Sequence, residues 1–244
     1  MKIDLEDALA RLAEMRYEDS DEGVANAQVR VGVAYLQRER WPQAAEALDE
    51  AHYLCGKLEN PVGQAQVALR LAEALAGLGR LEEAVGLLNG AWEAFVAADD
   101  LKGRLGVLER RAGVRQRLGQ PEEAIADYLA ALDLVRAQGD EISELLLVQY
   151  LAPLLRETGQ WPAAVETYRR LGVLADRFSD PQRVALALTG LGACYQETGR
   201  LDLAWEALAQ ARDTFQSLGM LEWVRRLEGQ LTVLDAARRA PAAD

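Results

Sequence analysis

Three arginines recur at a constant spacing: Arg30, Arg70 and Arg110 lie forty residues apart. A guanidinium group presents a planar fork of N–H donors, which binds a carboxylate or a phosphate through two parallel hydrogen bonds. The segment around Arg110 is itself basic, since one acid, Glu109, stands among five further cations: Lys102, Arg104, Arg111, Arg115 and Arg117. If repeating segments stack in register, the spaced arginines form a row that can recognise an acidic group.

Residue types that support catalysis or metal binding are sparse. His52 is the only histidine, and it occupies a position at which later repeats have Trp92 and Leu132, so we interpret it as a packed side chain. Cys55 and Cys194 are more than three repeats apart, and a disulfide needs Cα atoms within about 7 Å. Neither a zinc site nor a serine–histidine–acid set can be assembled from these residues. We therefore predict a protein without catalysis, cofactor or metal.

A ten-residue motif recurs with a period of forty residues along the rest of the chain. Its clearest copy is GQWPAAVETY at 159–168. Every copy has an alanine at the same position, namely Ala44, Ala84, Ala124, Ala164 and Ala204. A period of this length is typical of a solenoid, in which each repeat packs on its neighbours. The abundance of Leu, Ala, Arg and Glu favours helices over strands.

Start and stop signals divide each unit into two helices. A capping side chain begins the first helix, as in Ser20, Asn60, Asp100, Asp140 and Asp180. Glycines that can adopt a left-handed conformation follow it, as in Gly79, Gly119, Gly159 and Gly199. The second helix starts within two or three residues, and this short connection makes the two helices antiparallel neighbours.

These signals predict one all-α domain over residues 1–244, with about twelve helices. A leading unpaired helix occupies 1–19, and five repeats follow at 20–59, 60–99, 100–139, 140–179 and 180–219. The segment 220–237 has an apolar stripe opposite a polar face, so we predict a capping helix there. The last residues, 238–244, are expected to be a frayed tail.

The repeats resemble the tetratricopeptide repeat (TPR). Repeat five, LTGLGACYQETGRLDLAWEALAQA, matches it at Leu191-Gly192, Tyr195, Gly199 and Ala204. The common repeat has about thirty-four residues, whereas these units have forty, which is similar to the long variant of LGN/Pins-type adaptors and many bacterial scaffold proteins. The resemblance implies an α-solenoid of antiparallel hairpins in a right-handed superhelix, whose concave groove binds a peptide or helix of a partner protein.

In the family's register the first helices line the concave groove, which places the arginine row there. Arg104 and Arg117 join the row as recognition candidates, whereas Arg111 and Arg115 replace apolar residues of other units and are expected to pair with acids internally. Further groove candidates are Asn26, Leu36, Gln66, Leu69, Glu73, Gln116, Gln149, Arg156, Thr189 and Gln196. The alternative interpretation is that the row, too, forms only internal salt bridges.

Charge and hydropathy indicate which kinds of partner and which cellular location to expect. The net charge of −12 argues against general binding to nucleic acid or an anionic membrane. No run of eighteen apolar residues occurs, and acids stand where a secretory signal has its apolar core, so we predict a cytoplasmic protein. The excess of arginine over lysine, which GC-rich coding favours, indicates a bacterial source.

Three functions remain open at this stage. The leading hypothesis is a non-catalytic adaptor that binds an acidic or amphipathic protein segment in its groove. The second is a sensor that binds a signalling peptide and controls a separate effector. The third is a structural unit that self-assembles through Trp223 and the chain ends.

Overall fold

The computed structural model describes residues 3–239, and within that range it contains twelve helices and no strand. The helices have similar lengths and are joined by short turns. They are α1 Leu5–Tyr17, α2 Asp21–Leu36, α3 Trp41–Lys57, α4 Pro61–Gly77, α5 Leu81–Ala97, α6 Leu101–Arg117, α7 Pro121–Gln138, α8 Glu141–Glu157, α9 Trp161–Arg177, α10 Pro181–Glu197, α11 Leu201–Ser217 and α12 Leu221–Arg239. None of these helices is long and apolar enough to cross a membrane.

The helices form two compact units, and the boundary between the units lies within α7, after Leu134. In the first unit each helix packs on the next one along the chain from α1 to α6, and the first helices α2, α4 and α6 also contact one another in sequence. In the second unit the same serial packing runs from α8 to α12, and α8 contacts α10. We call the sides formed by these first helices the first-helix surfaces. The prediction of one undivided domain stays a prediction.

Turns recur every twenty residues, twice as often as the repeat period. The residue with positive φ in each turn lies at 19, 39, 59 and so on to 219, with φ between 51° and 78°. At Gly79 the turn closes as a Schellman motif, because the amide of Arg80 bonds the carbonyl of Leu75 and that of Gly79 bonds Ala76. Glycine was predicted to mark only some of these turns. Non-glycine residues take the same conformation at Asp19, Glu39, Glu59, Asp99 and Ser179.

The predicted capping residues begin the first helices. The side chains of Ser20, Asn60, Asp100 and Asp140 each accept a hydrogen bond from a backbone amide three residues later, and Asp180 does the same for Arg183. The second helices α3, α5, α9 and α11 have no such side-chain cap. All five first helices therefore begin at a side-chain cap, and α1 has one as well, because Asp4 accepts a hydrogen bond from the Glu6 amide.

Small residues set the distance between the helices. All five anchor alanines of the second helices are fully buried. In the first helices the matching close approach is made by Gly32 and Gly192, where an added Cβ would collide with Leu48 and Leu208 respectively. Glycine is required at those two positions because a leucine side chain of the following helix lies directly against the glycine backbone.

One predicted helix end differs from the structure. The helix α12 continues to Arg239, beyond the predicted end at residue 237. The extension has a physical cause, since the Arg238 guanidinium bonds Asp202 of α11 at 2.7 Å and lies over the Trp205 ring. The rest of the predicted tail, 240–244, lies outside the described residues.

Candidate binding cavities on the first-helix surfaces

A cavity of about 340 Å³ lies on the first-helix surface of the first unit, and we call it the α4 cavity. Five of the predicted groove residues line it: Asn26, Gln66, Leu69, Arg70 and Arg110. They come from α2, α4 and α6, which contact one another in that order. The structure therefore brings together residues that lie up to eighty-four positions apart in sequence.

Helical spacing explains how α4 presents three of these side chains. Gln66, Leu69 and Arg70 stand at positions i, i+3 and i+4, which share one face of a helix. The start of α4 is fixed by Asn60, whose side chain accepts a hydrogen bond of 2.8 Å from the Gly63 amide. Asn60 and Gly63 themselves line the cavity, so the cap that begins the helix also positions the wall of the site.

The electrostatics of the α4 cavity are one-sided. Arg70 is exposed and has neither a hydrogen bond nor an ion pair with any residue that the structure describes. The Arg110 guanidinium donates only to the carbonyl of Gly106 in its own helix, at 3.2 Å. No carboxylate stands among the described residues that line the cavity. Two guanidiniums here are therefore available to an acidic group from outside.

Other predicted recognition residues lie elsewhere. Arg30 pairs with Asp7 of α1 at 2.9 Å. The side chain of Arg104 is only 23% exposed, and its nearest carboxylate is that of Asp99, at 3.5 Å. Arg117 donates to the carbonyl of Ala76 at 2.7 Å.

The remaining candidates of the first unit divide between core and surface. Leu36 is a core residue, and the groove position predicted for it is wrong because its side chain is buried among the helices. Glu73 is exposed but does not line the α4 cavity. Gln116 accepts a hydrogen bond from the Tyr128 hydroxyl at 3.1 Å, so it holds α7 against α6.

The predicted internal role of Arg111 and Arg115 is what the structure shows. Arg111 forms two hydrogen bonds with the Asp127 carboxylate, at 2.7 and 3.0 Å, and Arg115 forms a third at 2.6 Å. Asp127 is nearly fully buried. Arg111 also bonds Asn89 at 2.8 Å and lies over the Trp92 ring. We call this set the Asp127 network.

A second cavity, of about 380 Å³, lies in the second unit, and we call it the α10 cavity. Four predicted groove residues line it: Gln149, Arg156, Thr189 and Gln196. The capping helix α12 contributes Trp223, which the sequence suggested for self-assembly, and Arg226, which belongs to the predicted polar face of that helix. Their position relative to the cavity depends on how α12 packs, and no motif in the sequence signals it.

Aromatic residues shape the α10 cavity. Trp223 stacks on Phe215 with ring centroids 5.0 Å apart, and the Arg226 guanidinium lies 5.8 Å from the Trp223 centroid. Burial raises the pKa of Tyr168 to about 12, while the positive charge of Arg156 acts in the opposite direction. The Tyr168 hydroxyl is therefore protonated at neutral pH and remains a hydrogen-bond donor in the cavity wall.

Solved structures share this architecture. BtubC (BKLC) from P. vanneervenii superposes with a TM-score of 0.72 at 16% identity, over 88% of this chain and 91% of that one. A STAND protein with a tetratricopeptide repeat sensor from Pyrococcus horikoshii gives 0.71 at 17% identity, over 87% of this chain but only 33% of that one. YrrB, described as a TPR protein with an unusual peptide-binding site, gives 0.61 at 16% identity, over 83% and 91%.

The chain has a TPR-type fold. The predicted fold class, an α-solenoid of helical hairpins, is confirmed by these neighbours and by the helix content. No family model and no curated protein matches the sequence. At these levels of identity the likeness concerns the fold alone, so the TPR-type hairpins identify the scaffold and leave the ligand to be argued from the cavities.

Reactive side chains of this TPR-type scaffold are buried. His52, interpreted from the sequence as a packed side chain, is half-buried, and burial lowers its pKa although Asp49 opposes that shift. Cys55 and Cys194 are free thiols, and burial raises the pKa of both. A raised pKa keeps a thiol in its less nucleophilic protonated form. Within residues 3–239, no group of three or more His, Cys, Asp or Glu side chains is arranged to hold a metal ion.

Proposed function

We propose that this protein is a non-catalytic adaptor that binds an acidic segment of a partner protein at the first-helix surface of its first unit. The observation that carries the proposal is the α4 cavity, where Arg70 and Arg110 lie beside apolar and amide side chains without a carboxylate among the described lining residues. Elsewhere in the same unit, Arg16, Arg111 and Arg115 pair with acids of neighbouring helices.

The lining suits a peptide in chemical terms. Guanidinium groups take up carboxylates, while Asn26 and Gln66 supply amide groups that can bond a peptide backbone. Leu69 and Val29 offer apolar surface between them. Such a mixture is characteristic of surfaces that bind an extended or helical segment. YrrB, with its described peptide-binding site, supports this use of the fold.

Charge reversal tests the proposal. The double variant R70E/R110E should lose at least 90% of a partner captured by crosslinking pull-down from cells of the source organism, because four units of charge change at one cavity. The matched control R40E/R200E changes the net charge equally at two exposed arginines outside both cavities, and it should capture normally. Equal capture by both double variants, with unchanged helicity, would refute the proposal.

A peptide-responsive sensor is the second candidate, favoured by the likeness to the STAND protein with its tetratricopeptide repeat sensor. A sensor must change conformation when its peptide binds, whereas an adaptor need not. Small-angle scattering with and without the captured partner segment separates the two: a decrease in the radius of gyration favours the sensor. The bacterial source and the cytoplasmic location stay predictions.

A further inference from the structure

We propose that the α10 cavity is a second, separate site, which binds a carboxylate carried on a compact apolar body. Two sources share that chemistry: a free organic acid and the C-terminal residue of a peptide. The cavity includes Gln149 and Arg156, which the sequence assigned to the peptide groove, so the peptide form rests on the proposed function. The free-acid form does not.

The first observation that supports this proposal is the positive charge of the α10 cavity. Arg156 and Arg226 both line it, and neither has a hydrogen bond or an ion pair with the residues that the structure describes. No acid occurs among the described lining residues. Several other arginines of this unit are neutralised, since Arg170 pairs with Glu144 and Arg183 with Asp180. In a protein of net charge −12, two unpaired guanidiniums in one cavity form a focused site for an anion.

The second observation is that the walls of the cavity are mainly apolar. Leucines from four helices and the Trp223 ring enclose the space: Leu171, Leu186, Leu208 and Leu227. Gly190 lets the Tyr168 ring pack directly on α10, because a Cβ there would collide with that ring. A volume of about 380 Å³ falls in the range of roughly 300–1,000 Å³ that small-molecule sites occupy. The ligand therefore has an apolar body of modest size.

The hydrogen bonds of the neutral polar groups in the α10 cavity are the third observation. Gln149 already accepts a hydrogen bond from Arg183 at 2.6 Å, and the Thr189 hydroxyl donates to the Ala185 carbonyl at 2.8 Å. Pro153, which also lines the cavity, has no N–H to offer the Gln149 carbonyl one helical turn earlier. In the proposed complex this carbonyl accepts from an N–H group next to the ligand's carboxylate, and the C-terminal residue of a peptide carries both groups.

A carboxylate fits better than a phosphate. Phosphate sites gather several guanidinium or backbone N–H donors around a doubly charged group. This cavity has two guanidiniums and apolar walls, and burying a doubly charged group against leucine is costly. A singly charged acid needs only one bidentate partner, and the second guanidinium then supplies either a further bond or long-range attraction.

Small probes test this site without any protein partner. Isothermal titration of the full chain with N-acetyl-leucyl-phenylalanine should give saturable binding. The C-terminal amide of the same dipeptide should bind at least tenfold more weakly, because it lacks the charge. The double variant R156Q/R226Q should lose at least tenfold in affinity for the acid. The control R225Q/R200Q removes two exposed arginines that do not line the cavity and should bind as the parent does.

Two further arms identify the source of the carboxylate. If 4-phenylbutyrate, which lacks an amide, binds as tightly as the dipeptide acid, the site takes free organic acids. If the dipeptide acid binds at least fivefold more tightly, the site takes peptide C-termini. Phenyl phosphate should bind more weakly than either acid.

Four results would overturn the proposal: no saturable binding of either acid, equal binding of acid and amide, tighter binding of phenyl phosphate, or full affinity in R156Q/R226Q. If circular dichroism shows that the double variant has lost helicity, the single variant R226Q replaces it as the test. Arg226 is exposed and makes no hydrogen bond within the described chain, so its substitution should not disturb the fold. Unchanged affinity for the acid in R226Q would then contradict the proposal. R70E/R110E should keep its affinity for the small acids, so failure at the α4 cavity and failure here are distinguishable.

Discussion

Arg110 and Arg111 are neighbours in α6, yet they belong to two different regions. Arg110 lies at the α4 cavity, where it is exposed and forms no ion pair with the described residues. Arg111 lies in the Asp127 network, where its side chain is 13% exposed and bonds a buried carboxylate in bidentate fashion. One step along a helix turns a side chain by about 100°, which is enough to place two neighbouring arginines in different surroundings.

The comparison shows what decides the use of an arginine in this fold. A guanidinium is held inside the protein where a neighbouring helix offers an acceptor, and α7 offers Arg111 and Arg115 a buried carboxylate, that of Asp127. The equivalent positions of other repeats carry Ala47, Leu87, Thr167 and Ala207. Where none is offered, as at Arg70, the side chain remains exposed to solvent.

Removing the shared carboxylate should have the largest effect on stability. Asp127→Ala leaves Arg111 and Arg115 unpaired in a largely buried site, which typically costs about 3–5 kcal/mol. Urea unfolding followed by circular dichroism measures the loss. As a control, the triple variant R111L/R115L/D127L should unfold near the parent's midpoint, because a well-packed apolar set replaces a buried ion network at little cost. A parent-like D127A would show that the network contributes little.

Glu144 provides an intermediate case in the second unit. The hydrogen bond from Arg170, aided by Arg136, lowers the pKa of this carboxyl below its usual value of 4.5, and the side chain is 4% exposed. A lowered pKa stabilises the fold above the unfolded value, and this contribution is lost as the pH falls through the folded value. Stability should therefore decline below about pH 4.5, and Glu144→Gln should reduce that decline.

At neutral pH, Glu144→Gln should lower the free energy of unfolding by less than D127A does. The reason is that the side chains of Arg136 and Arg170 are partly exposed to solvent, so they are not left buried without a partner. Unfolding midpoints of parent and variant between pH 3 and pH 7 measure both effects. Parallel pH profiles for the two proteins would contradict the assignment.

The α4 cavity should show the smallest effect on stability. R70Q/R110Q removes two exposed charges without an acid partner, so the free energy of unfolding should stay within about 0.5 kcal/mol of the parent. Arg16→Gln is the matched control, since it breaks an exposed ion pair with Glu50 at 2.8 Å and belongs to the same order of magnitude. A loss above about 1.5 kcal/mol in R70Q/R110Q would show a structural role and weaken the adaptor proposal.

Much of the first unit's site follows from the repeat period. Asn26, Gln66, Leu69, Arg70 and Arg110 were predicted from register, and all of them line one cavity. Arg104 was proposed as part of the basic third repeat and is half-buried, at a position of the period that matches the buried Val24 and Glu144 and the half-buried Val184. The same comparison of positions across repeats would have marked Glu144 as a buried acid that needs a cationic partner.

The sequence alone determined the helices, their turns and the hairpin repeat, because capping, glycine and apolar spacing act within a few residues of one another. It also determined that Arg111 and Arg115 pair internally, since they replace apolar residues of the repeat. Only the tertiary structure decided that Asp127 is their partner and that Trp223 and Arg226 complete a cavity. Those arrangements depend on the packing of helices whose side chains meet across tens of residues, and local patterns do not specify such contacts.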